Sequence, residues 1–366
     1  MNILAGVNLS EVNIGAMFDP RLGPKYHWMR SPEDPKDHPY QLVNITLPAS
    51  VDLRPYCSPI EDQGNLGSCT GNSIAGCVEY VNRRSSNNTK TFDVSRLFIY
   101  YQERVIENSV RYDAGAYIKD GIKAMYTYGT PLESLWPYNI NNFAVKPSTA
   151  AYNDAANRKL TNNTTNSTVN VTGVTTVSNQ VKVSSTTGMI VNGALRITGT
   201  AISNLTAGTY YVKSIGSTGS QKWVTVSATM NGPIFNVGAT ASGTMSCQII
   251  PGYQKINDGD VNGMKNALAS GFPVVMGFTV YDSFEGDLNN NTGMMPYPNT
   301  ASEQVLGGHA VCVVGYNDNL NGGRFICRNS WGTGWGDHGY FYMPYQVIAN
   351  KNMSSDFWIV CTVVNP

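Results

Sequence analysis

The stretch Gln63-Gly-Asn-Leu-Gly-Ser-Cys-Thr-Gly-Asn-Ser-Ile-Ala-Gly-Cys-Val-Glu-Tyr80 opens as a glycine-punctuated loop and turns at Ser68 into an apolar-periodic segment. Ile74, Val78 and Val81 recur at helical spacing, which predicts a helix with Cys69 in its first turn. There the unpaired backbone N–H groups and the positive end of the helix dipole favour a thiolate over a thiol. Ser68 and Thr70 are small, and Gly67 and Gly71 just outside them leave room for a substrate backbone. Gln63, six residues upstream, can swing its amide toward an oxyanion forming beside the sulfur. A single cysteine at a helix start is more often a buried core residue. What changes that reading lies 240 residues downstream.

At 366 residues the chain exceeds one ordinary domain, so a core unit plus an addition is expected. Lys and Arg number 25, as do Asp and Glu, and nothing in that balance argues for nucleic acid or an acidic membrane as partner. The opening Met1-Asn-Ile-Leu-Ala-Gly-Val7 lacks a basic region and soon meets Glu11 and Asp19, unlike a secretory signal. No apolar run approaches the length of a membrane span. Seven cysteines without a CxxC pair form neither a disulfide framework nor a zinc site, and no metal or other cofactor is expected. Cys312, Cys327 and Cys361 sit in apolar strands and read as core.

Residues 1–47 read as an extended arm, because Arg30-Ser-Pro-Glu-Asp-Pro-Lys-Asp-His-Pro-Tyr40 cannot form a helix interior. The plainer reading is a surface-hugging tail with His27 and His38 solvated; the sharper one is an inhibitory or docking segment. From 48 to 156 the chain is mainly helical. Val94–Ile106 follows a cap at Ser95, a third helix runs near Tyr117–Tyr126, and Ala114-Gly115 makes a bend with exposed backbone. From 157 to 250 the composition shifts, with no acidic residue between Asp154 and Asp258. Val181–Ser184, Ala194–Thr198, Thr209–Lys213 and Trp223–Ser227 alternate apolar and polar residues, as in a small antiparallel β unit. Thr161–Thr168 reads instead as a disordered linker. From 251 to 366, strands return at Phe272–Val280, Ala310–Tyr316, Arg324–Arg328, Gly339–Met343 and Asp356–Thr362. The fold class is therefore α+β: a helical lobe and a β-barrel-like lobe, with the β unit inserted between them.

Two residues of the last segment complete a chemistry. His309 follows Gly307-Gly308 and is read as opening a strand at a cleft; Asn329 precedes the loop Ser330-Trp-Gly-Thr-Gly-Trp-Gly336. A cysteine nucleophile needs a base that also protonates the departing amine, and imidazole does both. An Asn carbonyl holds the imidazole in orientation without adding charge, and Trp331 beside it can shield that bond from water.

The order Gln, Cys, His, Asn resembles the papain-like cysteine peptidases. Asp62-Gln-Gly-Asn-Leu-Gly-Ser-Cys69 looks like that family's nucleophile loop, Gly308-His-Ala-Val311 like its histidine strand, and Asn329-Ser-Trp-Gly-Thr-Gly-Trp-Gly-Asp-His-Gly-Tyr340 like its asparagine signature. The resemblance covers about 46–156 and 251–366 and implies a two-lobed fold with polypeptide substrates. It implies Cys69 as nucleophile, His309 as base and acid, Asn329 as orienter, and Gln63 with the Cys69 N–H as oxyanion donors. Gly67, Ser68, Ala114, Gly115, Gly308 and Trp331 would line the substrate. Two positions depart: Thr70 stands where an aromatic usually follows the nucleophile, and Leu66 where many members place a disulfide cysteine. These departures suit the bacterial and viral branch. The insert, in Val174–Val191 and Asn192–Val212, resembles small β repeats of tailed-phage structural proteins. That implies virion or tail proteins, or another copy, as partners of the β unit, and a virion-associated or host-cytoplasmic location. Besides an endopeptidase, a cell-wall amidase or transpeptidase and a virion protein on a peptidase scaffold stay open.

Overall fold

The computed structural model describes residues 26–361 apart from 41, 43–44, 86–87, 89–90, 161–167, 188, 190, 192, 200–201, 229–231, 240–244, 250–251 and 289–291. Most of the linker read at Thr161–Thr168 thus lies outside the described residues. The arm is extended, as its prolines dictate, and contributes one short strand, β1 (Trp28–Met29). After it, β2 (Ser50–Asp52) joins the main sheet.

Helix α1 (Cys69–Ser85) starts where the apolar period begins. Ile74, Val78 and Val81 are all buried, in one cluster with Ala310, Cys312, Val314 and Trp358 from the far end of the chain. Helix α2 (Arg96–Ile106) is capped by Ser95, whose hydroxyl accepts from the Phe98 N–H at 3.1 Å. The two-residue strand β3 (Ala116–Tyr117) leads into α3 (Ile118–Thr127), which stops at Gly129, where φ is +79°. A short α4 (Thr149–Ala155) follows.

Six antiparallel strands then close into a barrel: β4 (Thr168–Thr175), β5 (Gln180–Val183), β6 (Ala194–Gly199), β7 (Gly208–Thr218), β8 (Gln221–Ser227) and β9 (Met245–Ile249). The spatial order is β4-β5-β8-β7-β6-β9, around an interior of Val181, Leu195, Ile197, Val212, Val224 and Val226. Strands β4 and β9, absent from the sequence reading, pair with each other and complete the circuit. A closed circuit has no free edge, so pairing with a second copy through exposed edges, which an open β unit would allow, is not available here. Nor does the barrel stand apart. Ala194 and Tyr211 join the core of the following segment, where the Tyr211 hydroxyl donates to the Ser270 carbonyl at 3.2 Å and its ring lies 5.5 Å from that of Phe272.

The remaining elements are β10 (Tyr253–Ile256), α5 (Val261–Ala269), β11 (Val274–Tyr281), α6 (Asp282–Leu288), β12 (Val305–Asn317), β13 (Arg324–Arg328), β14 (Tyr340–Pro344), α7 (Tyr345–Ala349) and β15 (Ser354–Val360). They form a sheet in the order β10-β15-β11-β12-β13-β14, with β2 added beside β12. Helix α1 packs across β12 and β11, which sets the nucleophile helix against the histidine strand. His309 does not open a strand, as its sequence context suggested, but sits inside β12 opposite Phe278. Val305 and Leu306 extend the strand upstream, and Gly307-Gly308 continue it because glycine interrupts a ladder without forbidding it. Among the described residues, no helix is long and apolar enough to cross a membrane and no acidic, His or Cys cluster could hold a metal ion.

Candidate active site

The loop before α1 is held from three sides. The Gln63 N–H donates to the Ser330 carbonyl at 2.8 Å, and the Ser330 hydroxyl returns to Gln63 Oε1 at 2.6 Å. Gln63 Nε2 donates to the Leu66 carbonyl at 2.9 Å, which tightens the turn toward the cysteine. The Tyr138 hydroxyl donates to the Gln63 carbonyl at 2.9 Å and lies 2.5 Å from Ser68 Oγ. Beyond the cysteine, the Thr70 hydroxyl donates to Glu103 Oε2 at 2.7 Å; burial pushes the Glu103 carboxyl up, toward its neutral form. Position 70 thus serves a buried polar pair rather than an aromatic contact.

Cys69 and His309 are both fully buried, on α1 and β12 respectively. His309 Nε2 and Asn329 Oδ1 lie 2.8 Å apart. An amide oxygen only accepts, so this contact places a proton on Nε2 and leaves Nδ1 as the basic nitrogen. Trp331 stacks on the imidazole, with ring centroids 4.7 Å apart and planes at 30°. Tyr26 and Phe278 meet the same imidazole edge-on. Trp331, Trp335, Phe284 and Phe341 continue this aromatic wall.

The arm crosses this site. Strand β1 pairs in parallel with β3, the Ala116 N–H donates to the His27 carbonyl at 3.2 Å, and His27 forms a parallel bridge with Gly308. The His27 ring lies on Gly67, and its carbonyl lies so close to Gly115, where φ is +73°, that a Cβ there would collide with it. Trp28 covers Gly277 and Gly308 and donates from Nε1 to Asp356 Oδ2 at 3.1 Å. The same carboxylate oxygen accepts the Ser31 N–H at 2.8 Å. Tyr26 donates to Glu285. Further on, the His38 carbonyl accepts the Lys255 N–H at 2.8 Å. The arm is therefore no solvated tail: His27 and His38 are half-buried, because Tyr26, Trp28 and Met29 bring apolar surface into the cleft.

Burial changes the thiol. Burial pushes Cys69 up to about 12, against a downward pull from the backbone of Ala310, His27 and Thr70. The thiolate expected at a helix start is thus disfavoured here, because desolvation outweighs the nearby N–H groups.

The structure ties Gln63 to Ser330 beside Asn329, holds His309 between Asn329 and Trp331, and lays His27 of the arm against Gly67, Gly115, Gly308 and Cys69, whereas Ser68 faces Tyr138 and Asn72. Ala114 is half-buried, two residues before the Ala116 N–H that bonds the arm. Sequence reasoning missed Asp113, Tyr100 and Tyr138, which fix the loop segments. Only the adjacency of Asp113 to the Ala114-Gly115 bend offered a signal.

Residues 235–360 match the family described as papain family cysteine protease. The chain is 33% identical over 305 residues to an uncharacterized peptidase C1-like protein of Acanthamoeba polyphaga mimivirus, covering 83% of this chain and 70% of that one. It is 32% identical over 111 residues to cysteine proteinase 3 of Entamoeba histolytica, covering 30% and 35% of the two chains. Among solved structures it is similar to xylellain, a cysteine protease from Xylella fastidiosa, at 28% identity and a TM-score of 0.63, over 92% of this chain and 96% of that one.

Proposed function

This chain belongs to the papain family of cysteine peptidases, and from that membership we propose that it is an endopeptidase working through Cys69, His309 and Asn329. The observation that carries the reading is the 2.8 Å contact between His309 Nε2 and Asn329 Oδ1 beneath Trp331. It leaves Nδ1 basic, on a strand packed against the helix of Cys69. In the first step the thiol proton passes to His309 Nδ1 and the sulfur attacks the scissile carbonyl. The oxyanion is met by the Cys69 N–H and the Gln63 amide. As the C–N bond breaks, the imidazolium returns its proton to the amine, leaving a thioester. Water, deprotonated by the same imidazole, then hydrolyses that ester and frees the thiol.

On this reading the docked arm blocks the chemistry. It occupies the Ala116 N–H and bridges Gly308, backbone that an extended substrate would use, while the thiol beneath is fully buried. We read residues 1–47 as an inhibitory segment that must leave before substrate enters. The barrel's resemblance to phage repeats, with a mimivirus protein among the relatives, favours a phage or viral protein carried with the particle.

The test is a full chain carrying a specific-protease recognition sequence at residues 45–47, cut after folding. An epoxide-type thiol inactivator followed by intact-mass analysis should label the cut chain once, at Cys69, and the uncut chain far more slowly. Labelling at another cysteine, with Cys69 left free, sinks the assignment.

A further inference from the structure

The turn Gln63–Ser68 leads directly into Cys69, and the bend Asp113–Gly115 meets the arm at His27. No cysteine stands at 66 or 113, so nothing covalent ties one to the other. Hydrogen bonds do. The Gly67 N–H points between the two carboxylate oxygens of Asp113, at 3.1 Å and 3.0 Å. The Tyr100 hydroxyl donates to Asp113 Oδ1 at 2.5 Å and accepts the Gly115 N–H at 3.2 Å. One part-buried relay thus runs from the nucleophile loop through a carboxylate and a phenol to the backbone under the arm.

Both ends of the relay are backbone amides with no other partner among the described residues, and each lies beside a surface the proposed reaction uses. Gly67 is two residues before the nucleophile, and Gly115 touches the extended chain in the cleft. The phenol is itself anchored: Tyr100 is fully buried, and the Arg104 guanidinium lies 4.0 Å from its ring centre. Arg104 also donates to the carbonyls of Val110 at 2.8 Å and Tyr112 at 3.3 Å, which fixes the chain entering Asp113. A carboxylate accepting from N–H and O–H donors makes charge-assisted bonds, stronger than neutral ones.

We propose that Asp113 is a positioning residue for this peptidase: its carboxylate, with the Tyr100 phenol, sets the spacing between the nucleophile loop and the substrate-pairing backbone. The proposal rests on the reading of Cys69 as nucleophile. Freed from Asp113, Gly67 can drift, and with it the Gln63 amide and the entry to α1. A misplacement near 1 Å at a reacting centre costs on the order of 10²-fold in rate.

The experiment uses the full chain cut after folding within residues 45–47, in the wild-type, D113A, D113N and Y100F forms. It reads kcat and KM on a short peptide, epoxide labelling of Cys69, and thermal melting. D113A should lose on the order of 10²-fold in kcat. D113N should recover most of that loss, since one amide oxygen still accepts from both Gly67 and Tyr100. Y100F keeps the Gly67 bond and frees Gly115, so it should raise KM several-fold with kcat nearly unchanged, and it decides the matter should D113A fail to fold. Undiminished kcat in a folded D113A, D113N as damaged as D113A, or Y100F with unaltered KM overturns the proposal while wild-type Cys69 is still labelled. A wild-type Cys69 that escapes the epoxide overturns the nucleophile assignment, and the clamp with it.

Discussion

Ser330 and Gln63 hold each other twice, hydroxyl to Oε1 at 2.6 Å and amide N–H to carbonyl at 2.8 Å. Ser330 directly follows Asn329, so one turn fixes both the imidazole orienter and the glutamine on the other side of the cleft. On the proposed mechanism, Gln63→Ala removes an oxyanion donor and should lower kcat on the order of 10²–10³-fold. Ser330→Ala leaves the backbone bond and only loosens the amide, so kcat should fall by about tenfold, less than for loss of the whole donor, with KM little changed. Steady-state kinetics on a short peptide checks both; equal kcat in Ser330→Ala and wild type would show that the hydroxyl does not orient Gln63.

His309→Ala should remove nearly all hydrolysis, whereas Asn329→Ala should be milder, because Trp331 still stacks on the ring. Cys69→Ala should be inactive yet melt at nearly the wild-type temperature, since a small residue replaces a small one. An Asn329→Ala enzyme as dead as His309→Ala would mean that stacking alone cannot hold the imidazole.

Acid should loosen the arm. Desolvation of His27 in the cleft lowers its pKa below the ordinary 6.5, and the pull of Asp113 opposes this without reversing it. The docked arm therefore prefers neutral His27. Its hold is complete above 6.5 and weakens as pH falls below that value, where the released arm takes up the proton. Inactivation of uncut chain, expressed relative to cut chain at each pH, should accelerate between pH 7.5 and 5.5, and His27→Gln should flatten that slope. A ratio independent of pH in the native chain would exclude His27 as the acid-sensitive contact.

Tyr211 links the barrel to the peptidase core. Tyr211→Ala opens a cavity beside Phe272 and strands the Ser270 carbonyl, for a loss of about 3 kcal/mol by analogy with other buried aromatics. Chemical denaturation should register that loss while kcat on a short peptide stays within a few-fold of wild type. Replacing residues 160–248 with a Gly/Ser linker should likewise keep hydrolysis of a short peptide, at lower stability, because Phe272 is then uncovered. Loss of hydrolysis by a folded deletion would mean that the barrel shapes the cleft.

What was legible in the sequence was local. The cap at Ser95, the apolar period of α1 and the Gly/Trp loop after Asn329 each announce themselves within a few residues. The barrel was read only in part. Met245, Cys247 and Ile249 carry the same alternation as the other strands, but closure against Thr168–Asn170 is a pairing across most of the segment. Strand β12 was read too short because Gly307-Gly308 looks like punctuation. The seat of the arm was not legible, since the partners of His27 and Trp28 lie at Gly67, Ala116, Gly308 and Asp356, each chosen by tertiary shape rather than by neighbouring residues.

The pairing of Thr168 with Gln248 also bears on the order of folding. Helix α1 must find β12, and in the bare chain those elements are separated by the whole barrel sequence. A barrel that forms early lays its own entry and exit side by side and removes its span from that search. Each halving of an open loop lowers the closure cost by about 0.6 kcal/mol, and slow non-local contacts become faster as the effective separation shrinks. A barrel formed first would thus shorten the path between thiol and imidazole.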